Sequence, residues 1–404
     1  MTSVVPRIRR LGLCVLTLVS VLGTWTGWTE ANPGFARRYN VSCAMCHVAF
    51  PKLNQFGRDF AGNGYQFPGE DPAKKAVETG DPLLHLPTSP NFAIRTDAFL
   101  RWRNDTTAKT DIESPLTVKL FSTGYLEKDI TYYFYFLVAE GGEVGLEDAF
   151  LYFNNLRGHD WDVVVGQFQV MDTFYAREQR LTFQDISIYT ANVVNTASGG
   201  SAPGFKLAYD RGALTTWSAG PAFLMVGVTN GNGLGELDNG HFDTNAYKNQ
   251  MARLAATMPW MTLGLFGYHG QDQDVLTGQA NRFVRYGPDL YVPFGPRADL
   301  RANWLFGHDD HPTFTPGESA VDHHGGFVEV DAHFTDRWTG VMLYNQVSSN
   351  DLPALERRTL TANLTYYHLR NLKFLAEYTH DLLPVDAAHP TKTHTGVLGV
   401  VLAY

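Results

Sequence analysis

From residue 92 to its end the chain alternates between apolar and polar side chains, and few folds can use so long a run of that period. In FAIRTDAFLRWR, Phe92, Ile94, Ala98, Leu100 and Trp102 lie on one side of an extended chain. Arg95, Asp97, Arg101 and Arg103 lie on the other. FVEVDAHF sets Val328, Val330, Ala332 and Phe334 against Glu329, Asp331 and His333. TLTANLTYYHL sets Leu360, Ala362, Leu364 and Tyr366 against Thr361, Asn363 and Thr365. A period of two describes a strand with one apolar and one polar face. An antiparallel sandwich with one wet face alternates as well.

Three features favour a transmembrane antiparallel β-barrel over the sandwich. Similar runs recur, among them 116–125, 130–140, 147–155, 161–170, 204–210, 221–230, 259–269, 297–306, 337–347 and 372–380. Strands of about 9–11 residues with their turns fit some 14 to 18 times into this length, or about 16. Several connections are short, whereas NGNGLGELDNGHFDTNAYKN and FGHDDHPTFTPGESAVDHH are long and polar. That division suits a barrel with a periplasmic and an outer rim. The chain closes on HTGVLGVVLAY, whose Leu398, Val400, Leu402 and Tyr404 form an apolar face ending on an aromatic residue, like an outer-membrane insertion signal. Trp102, Trp161, Trp260 and Trp338, at strand ends, suit aromatic girdles at the two membrane surfaces.

Composition agrees. Charged residues are 18%, below the usual figure of about 25%, and aromatic residues are 13%. A net charge of −9 argues against nucleic acid as a partner. Arg7, Arg9 and Arg10 precede LGLCVLTLVSVLGTW, an apolar core too short to span a bilayer, and TEA places Ala31 at a cleavage position. Residues 1–31 therefore read as a secretory signal peptide. Residues 32–91 are left as a small module ahead of a barrel over 92–404.

That module holds Cys43-Ala-Met-Cys46-His47, the spacing of c-type haem attachment. Two thiols three positions apart can each form a thioether with one porphyrin vinyl group, and His47 is then placed to bind the iron. A redox disulfide and half of a zinc site are the competing readings. Cys14, the one other cysteine, lies in the signal peptide, so no second pair completes a tetrahedral zinc site. In AFPKLNQFGRDFAGNGY, Phe50, Leu53, Phe56 and Phe60 have helical spacing before Gly62 and Gly64. This predicts a short amphipathic helix with a glycine stop, its apolar face lying on a porphyrin or on the barrel wall. For the distal iron ligand the candidates are His85, in PLLHLPTSP, then Met171, in GQFQVMDTFY; a lysine, water or an open position are the other choices. Methionine would raise the potential relative to a second histidine.

The stretch ANPGFARRYNVSCAMCHVAFPKLNQFGRDFAGNGY resembles the amino-terminal segment of the fused monohaem cytochrome c–porins of the outer membrane, the iron oxidases of iron-oxidising bacteria. VVVGQFQVMDTFYAREQRLTFQDISIY, residues 163–189, resembles a barrel segment of the same family and, more distantly, phosphate-selective porins. The resemblance implies one covalently attached haem c on Cys43 and Cys46 with His47 on the iron, and it carries over no distal ligand. It further implies an outer-membrane oxidoreductase that takes one electron from extracellular Fe(II) and passes it to a periplasmic cytochrome c. Carboxylate-bearing loops such as GHDDH (307–311) and DHH (322–324) suit transient binding of a hard or borderline cation. The rival functions are a diffusion porin whose haem segment is a docking plug, and a conduit delivering electrons to extracellular acceptors.

Overall fold

The computed structural model describes residues 34–67, 76–86, 91–140, 143–173, 177–191, 207, 209–231, 233–234, 240–243, 245–274, 277–315, 317–384 and 392–404. The expected signal peptide lies outside them. Ahead of the barrel come helix α1 (Gly34–Tyr39), a small hairpin of β1 (His47–Ala49) and β2 (Lys52–Leu53), and helix α2 (Gln55–Gly62). The barrel's first half comprises β3 (Phe92–Arg103), β4 (Thr110–Glu127), β5 (Ile130–Glu140), β6 (Glu143–Phe153), β7 (Trp161–Gln169), β8 (Tyr209–Ala219), β9 (Ala222–Thr229) and β10 (Asn249–Met258). The second half comprises β11 (Met261–Gln273), β12 (Ala280–Pro293), β13 (Ala298–Asp309), β14 (Val321–Thr335), β15 (Trp338–Ser348), β16 (Arg357–Leu369), β17 (Leu372–Pro384) and β18 (Lys392–Ala403).

These sixteen strands form a closed antiparallel barrel. Each pairs with its neighbours in sequence, and β18 closes onto β3 with Leu398 opposite Leu100. Closure leaves no open edge, and an even strand number keeps every pair antiparallel. The expected strand over 204–210 differs: β8 begins only at Tyr209, and residues 204–206 and 208 lie outside the described set.

The side-chain distribution is inside-out relative to a soluble protein. Leu100, Leu364 and Leu398 are 43%, 44% and 50% exposed, whereas Asp97, Thr365 and Asp331 are 4%, 1% and 1% exposed. The alternation therefore points apolar residues outward and polar residues into the bore, the arrangement of a barrel that crosses a membrane with strands. No helix among the described residues is long and apolar enough to cross one.

The connections sort by end. Turns 128–129, 220–221, 259–260, 336–337 and 370–371 lie at the end where β3 starts and β18 stops. The connections between β7 and β8, β9 and β10, and β13 and β14 are long and lie at the other. Trp161, Trp260 and Trp338 stand outward near the short-turn end and Trp102 near the long-loop end, so the aromatic residues mark both rims.

Candidate functional site

The CxxCH motif folds as a single tight turn. Ser42 caps it, its hydroxyl accepting from the Ala44 amide at 3.3 Å, and the Cys46 amide donates to the Cys43 carbonyl at 3.2 Å. Asn54 then ties the turn to the helix behind it. Its side chain accepts from the Gly57 amide at 2.9 Å as the N-cap of α2 and donates to the Met45 carbonyl at 3.0 Å. Gly57 is needed for close approach: a Cβ there would stand 2.1 Å from the Cys46 carbonyl oxygen.

The helix is shorter than its apolar spacing predicts. Pro51 lacks an amide proton and Asn54 caps, so Phe50 and Leu53 fall in the hairpin and its turn rather than on the helix. Phe60 is buried in an aromatic cluster with Phe35 (5.1 Å between ring centres), Tyr39 (5.8 Å) and Phe67 (5.2 Å). Tyr65 of this cluster stacks on Tyr133 of the wall at 5.6 Å.

Both thiols are free. Burial raises the pKa of each, so both are protonated at neutral pH. His47 stands with Nδ1 2.9 Å from the Pro51 carbonyl oxygen. A carbonyl can only accept, so the proton sits on Nδ1 and the Nε2 lone pair is the one presented. Burial lowers the imidazole pKa, although backbone contacts to Pro51 and Lys52 oppose it, and the ring is neutral at neutral pH. This is the orientation that a histidine needs to ligate iron, with a backbone carbonyl fixing its tautomer. The donor set thus fits a c-type haem. The gap beside it, lined by Cys43, His47, Phe50, Thr339, Tyr367 and Arg370, measures about 10 Å³, room for one water. The residues supply ligands but no preformed ring pocket.

The module sits inside the short-turn mouth and is braced against the wall on several sides. Lys52, 1% exposed, places its ammonium between Asp299 (2.5 Å) and Asp331, which face one another across β13 and β14. The Tyr367 hydroxyl donates to the Phe50 carbonyl at 2.9 Å, and the Tyr152 hydroxyl donates to the Gly62 carbonyl at 2.8 Å. The Thr131 hydroxyl donates to the Gly64 carbonyl at 2.7 Å.

A second segment fills the bore. Of the expected wall segment 163–189, only residues 163–169 are strand; beyond Gln169 the chain turns into the lumen and includes helix α3 (Ser187–Thr190). Its Glu178 meets Lys119 at 2.9 Å and the Tyr135 hydroxyl at 2.9 Å. The amides of Phe183 and Gln184 donate to Glu377 at 2.7 Å each. Phe168, Val170, Met171, Ile186, Ile188 and Tyr189 form one apolar cluster with wall residues including Met225, Phe266, Leu305 and Phe327. Leu181 clusters with Ala49, and the Leu53 amide donates to the Gln179 side chain at 3.4 Å, so the two fillers touch. A cavity of about 650 Å³, lined by Leu53, Arg58, Arg253 and Asp289, reaches inward to Tyr189 and Phe327 of that cluster.

The distal-ligand candidates stand in other neighbourhoods than His47. Met171 is 2% exposed within the mid-lumen cluster. His85 lies against the Leu126 carbonyl and stacks on Tyr125 at 6.4 Å, at the end of β4. On the long-loop rim, His308 is held by Asp322 at 2.6 Å and by Asp310 at 3.1 Å. No three of His, Cys, Asp and Glu stand together for a metal ion among the described residues. Lys52, Gly57 and the infolded segment escaped sequence reasoning; the glycine inside QFGRDF was the one legible signal.

No family model matches the chain, and no curated protein is similar to it at a significant level. Solved structures do resemble it. A porin refined at 1.8 Å resolution has a TM-score of 0.53 at 14% identity, over 78% of this chain and 100% of that one. The outer membrane channel DcaP of Acinetobacter baumannii has a TM-score of 0.53 at 10% identity, over 78% and 97%. Pseudomonas putida OprB has 0.52 at 12%, over 78% and 94%. At such identities the likeness is one of fold, and the fold is that of a porin-like barrel.

Proposed function

We propose that the chain is an outer-membrane barrel carrying one haem c on Cys43 and Cys46, with His47 on the iron, that moves single electrons across the membrane. The carrying observation is the CxxCH turn itself: two free thiols and a histidine with its Nε2 presented, on a module pinned inside the bore by Lys52. A bound haem c would supply a one-electron iron couple. The chain's part is to orient His47 through Pro51, to hold the module in the mouth, and to restrict water. The mid-lumen cluster around Tyr189 and Phe327 supports the last role, because apolar packing gives dissolved ions no polar lining to follow.

The resemblance of the amino-terminal segment names extracellular Fe(II) as the donor and a periplasmic cytochrome c as the acceptor. Iron needs only to approach closely for outer-sphere transfer. A second reading, a diffusion porin, is favoured by the porin-like fold and by the cavity of about 650 Å³ beside the module. One pair of measurements separates them: stopped-flow mixing of the detergent-solubilised full chain with Fe(II), and single-channel conductance in a bilayer. Rapid reduction of a haem spectrum with little ion current is expected. A large steady conductance with no spectral change would replace the conduit by the porin.

A further inference from the structure

We propose that a cross-strand histidine pair, His380 and His394, on the outward face of the long-loop rim, binds a borderline divalent transition-metal cation. The inference is independent of the haem reading. The two residues are directly opposed in the pairing of β17 with β18. Their rings lie 4.6 Å apart between centres with planes 21° from parallel. On these strands Glu377, Thr379 and Val397 are buried, while Tyr378 and Leu398 are 47% and 50% exposed. Even-numbered side chains therefore point outward, and both histidines are among them, each partly exposed.

The hydrogen bonding leaves nitrogens available. His394 has Nδ1 2.5 Å from the Tyr378 hydroxyl. When that nitrogen donates to the phenol oxygen, Nε2 presents its lone pair, the outer-shell device that orients metal-binding histidines. His380 has an Nδ1 that is shielded from solvent and has no hydrogen-bond partner. A desolvated, unpaired nitrogen is unfavourable as it stands, and an ion on its in-plane lone pair would satisfy it.

Size and chemistry agree. Metal–imidazole bonds are about 2.0–2.1 Å, so two nitrogens on one ion stand roughly 3 Å apart. Because imidazole lone pairs lie in the ring planes, the rings, stacked at 4.6 Å, must each turn about χ2 before both nitrogens meet one ion. Imidazole donors select copper, nickel, zinc or ferrous iron over calcium and magnesium.

The test is a Cu(II) titration of the full chain in detergent, free of any histidine tag, read by electron paramagnetic resonance, with folding checked by circular dichroism. One Cu(II) with two-nitrogen coordination is expected. Affinity should fall at least tenfold in H380Q and in H394Q, fall less in Y378F, and hold in H308N. Unchanged binding in the H380Q/H394Q double variant, or loss of the ion in H308N, would overturn the proposal. So would Ca(II) competing on equal terms.

Discussion

Two segments fill this barrel, and they are held by different balances of polar and apolar contact. The amino-terminal module is attached through polar pins: Lys52 between two carboxylates, and hydroxyls of Tyr367, Tyr152 and Thr131 on its carbonyls. The infolded segment has polar contacts too, at Glu178, Phe183 and Gln184, and adds to them the large apolar cluster around Ile186, Ile188 and Tyr189. Polar pins fix position and orientation, since each has a distance and a direction. Apolar packing is non-directional and excludes water. The contrast separates a part whose placement matters from a part whose dryness matters.

The largest effect that could break this contrast is loss of the thiols. C43S and C46S should each abolish covalent haem, measured by haem staining after denaturation; retained stain would remove the module's special role. Next is the pin. K52M should leave Asp331 buried without its counter-charge and Asp299 with only Arg301, at 3.7 Å, a cost of about 3–5 kcal/mol to docking. Proteolysis of residues 34–67 should accelerate while the barrel stays folded. Simultaneous loss of the barrel would show that wall and module are one cooperative unit.

A seal variant should act differently. F327A should cost about 3–5 kcal/mol at most, and less where the site collapses, because it leaves a cavity in the cluster. Its signature is ion leak in a planar bilayer with the module still protected. If K52M leaks and F327A does not, the two roles are reversed. The smallest effect concerns pH. Burial alone would raise the Glu178 pKa, but Lys119 and Arg95 hold it down to about 2. A depressed carboxyl stabilises above its unfolded value, about 4.3, and loses that contribution as pH falls toward 2. Protection of the infolded segment in hydrogen exchange should thus be flat from neutral pH to about 5 and weaken below. E178Q should weaken the dependence, leaving what Glu377 contributes through the Phe183 and Gln184 amides.

The wall was legible because each of its residues has one of two environments, and a period of two reports which. Leu398 and Leu402 are 50% and 42% exposed, and Val401 is 1% exposed, in line with the pattern of the last eleven residues. The bore was less legible. Val170, Ile186 and Ile188 are apolar yet face inward, so the segment holding them reads as wall when it is filler. Phe50 and Leu53 keep helical spacing without being helical; Phe50 packs against the Leu181 and Phe99 clusters, while Phe60 lies among Phe35, Tyr39 and Phe67. The identity of Cys43, Cys46 and His47 was plain from spacing, whereas the Pro51 carbonyl that sets the His47 tautomer depends on a hairpin that spacing does not announce.

The facing of Asp299 and Asp331 on adjacent strands bears on inheritance. A cylinder made from the later residues alone would set two like charges side by side, with Arg301 reaching only Asp299, at 3.7 Å. Selection on the wall is therefore selection on its occupant too. A gene fragment encoding either half should be a poor donor for recombination, and descendants should lose or keep both together.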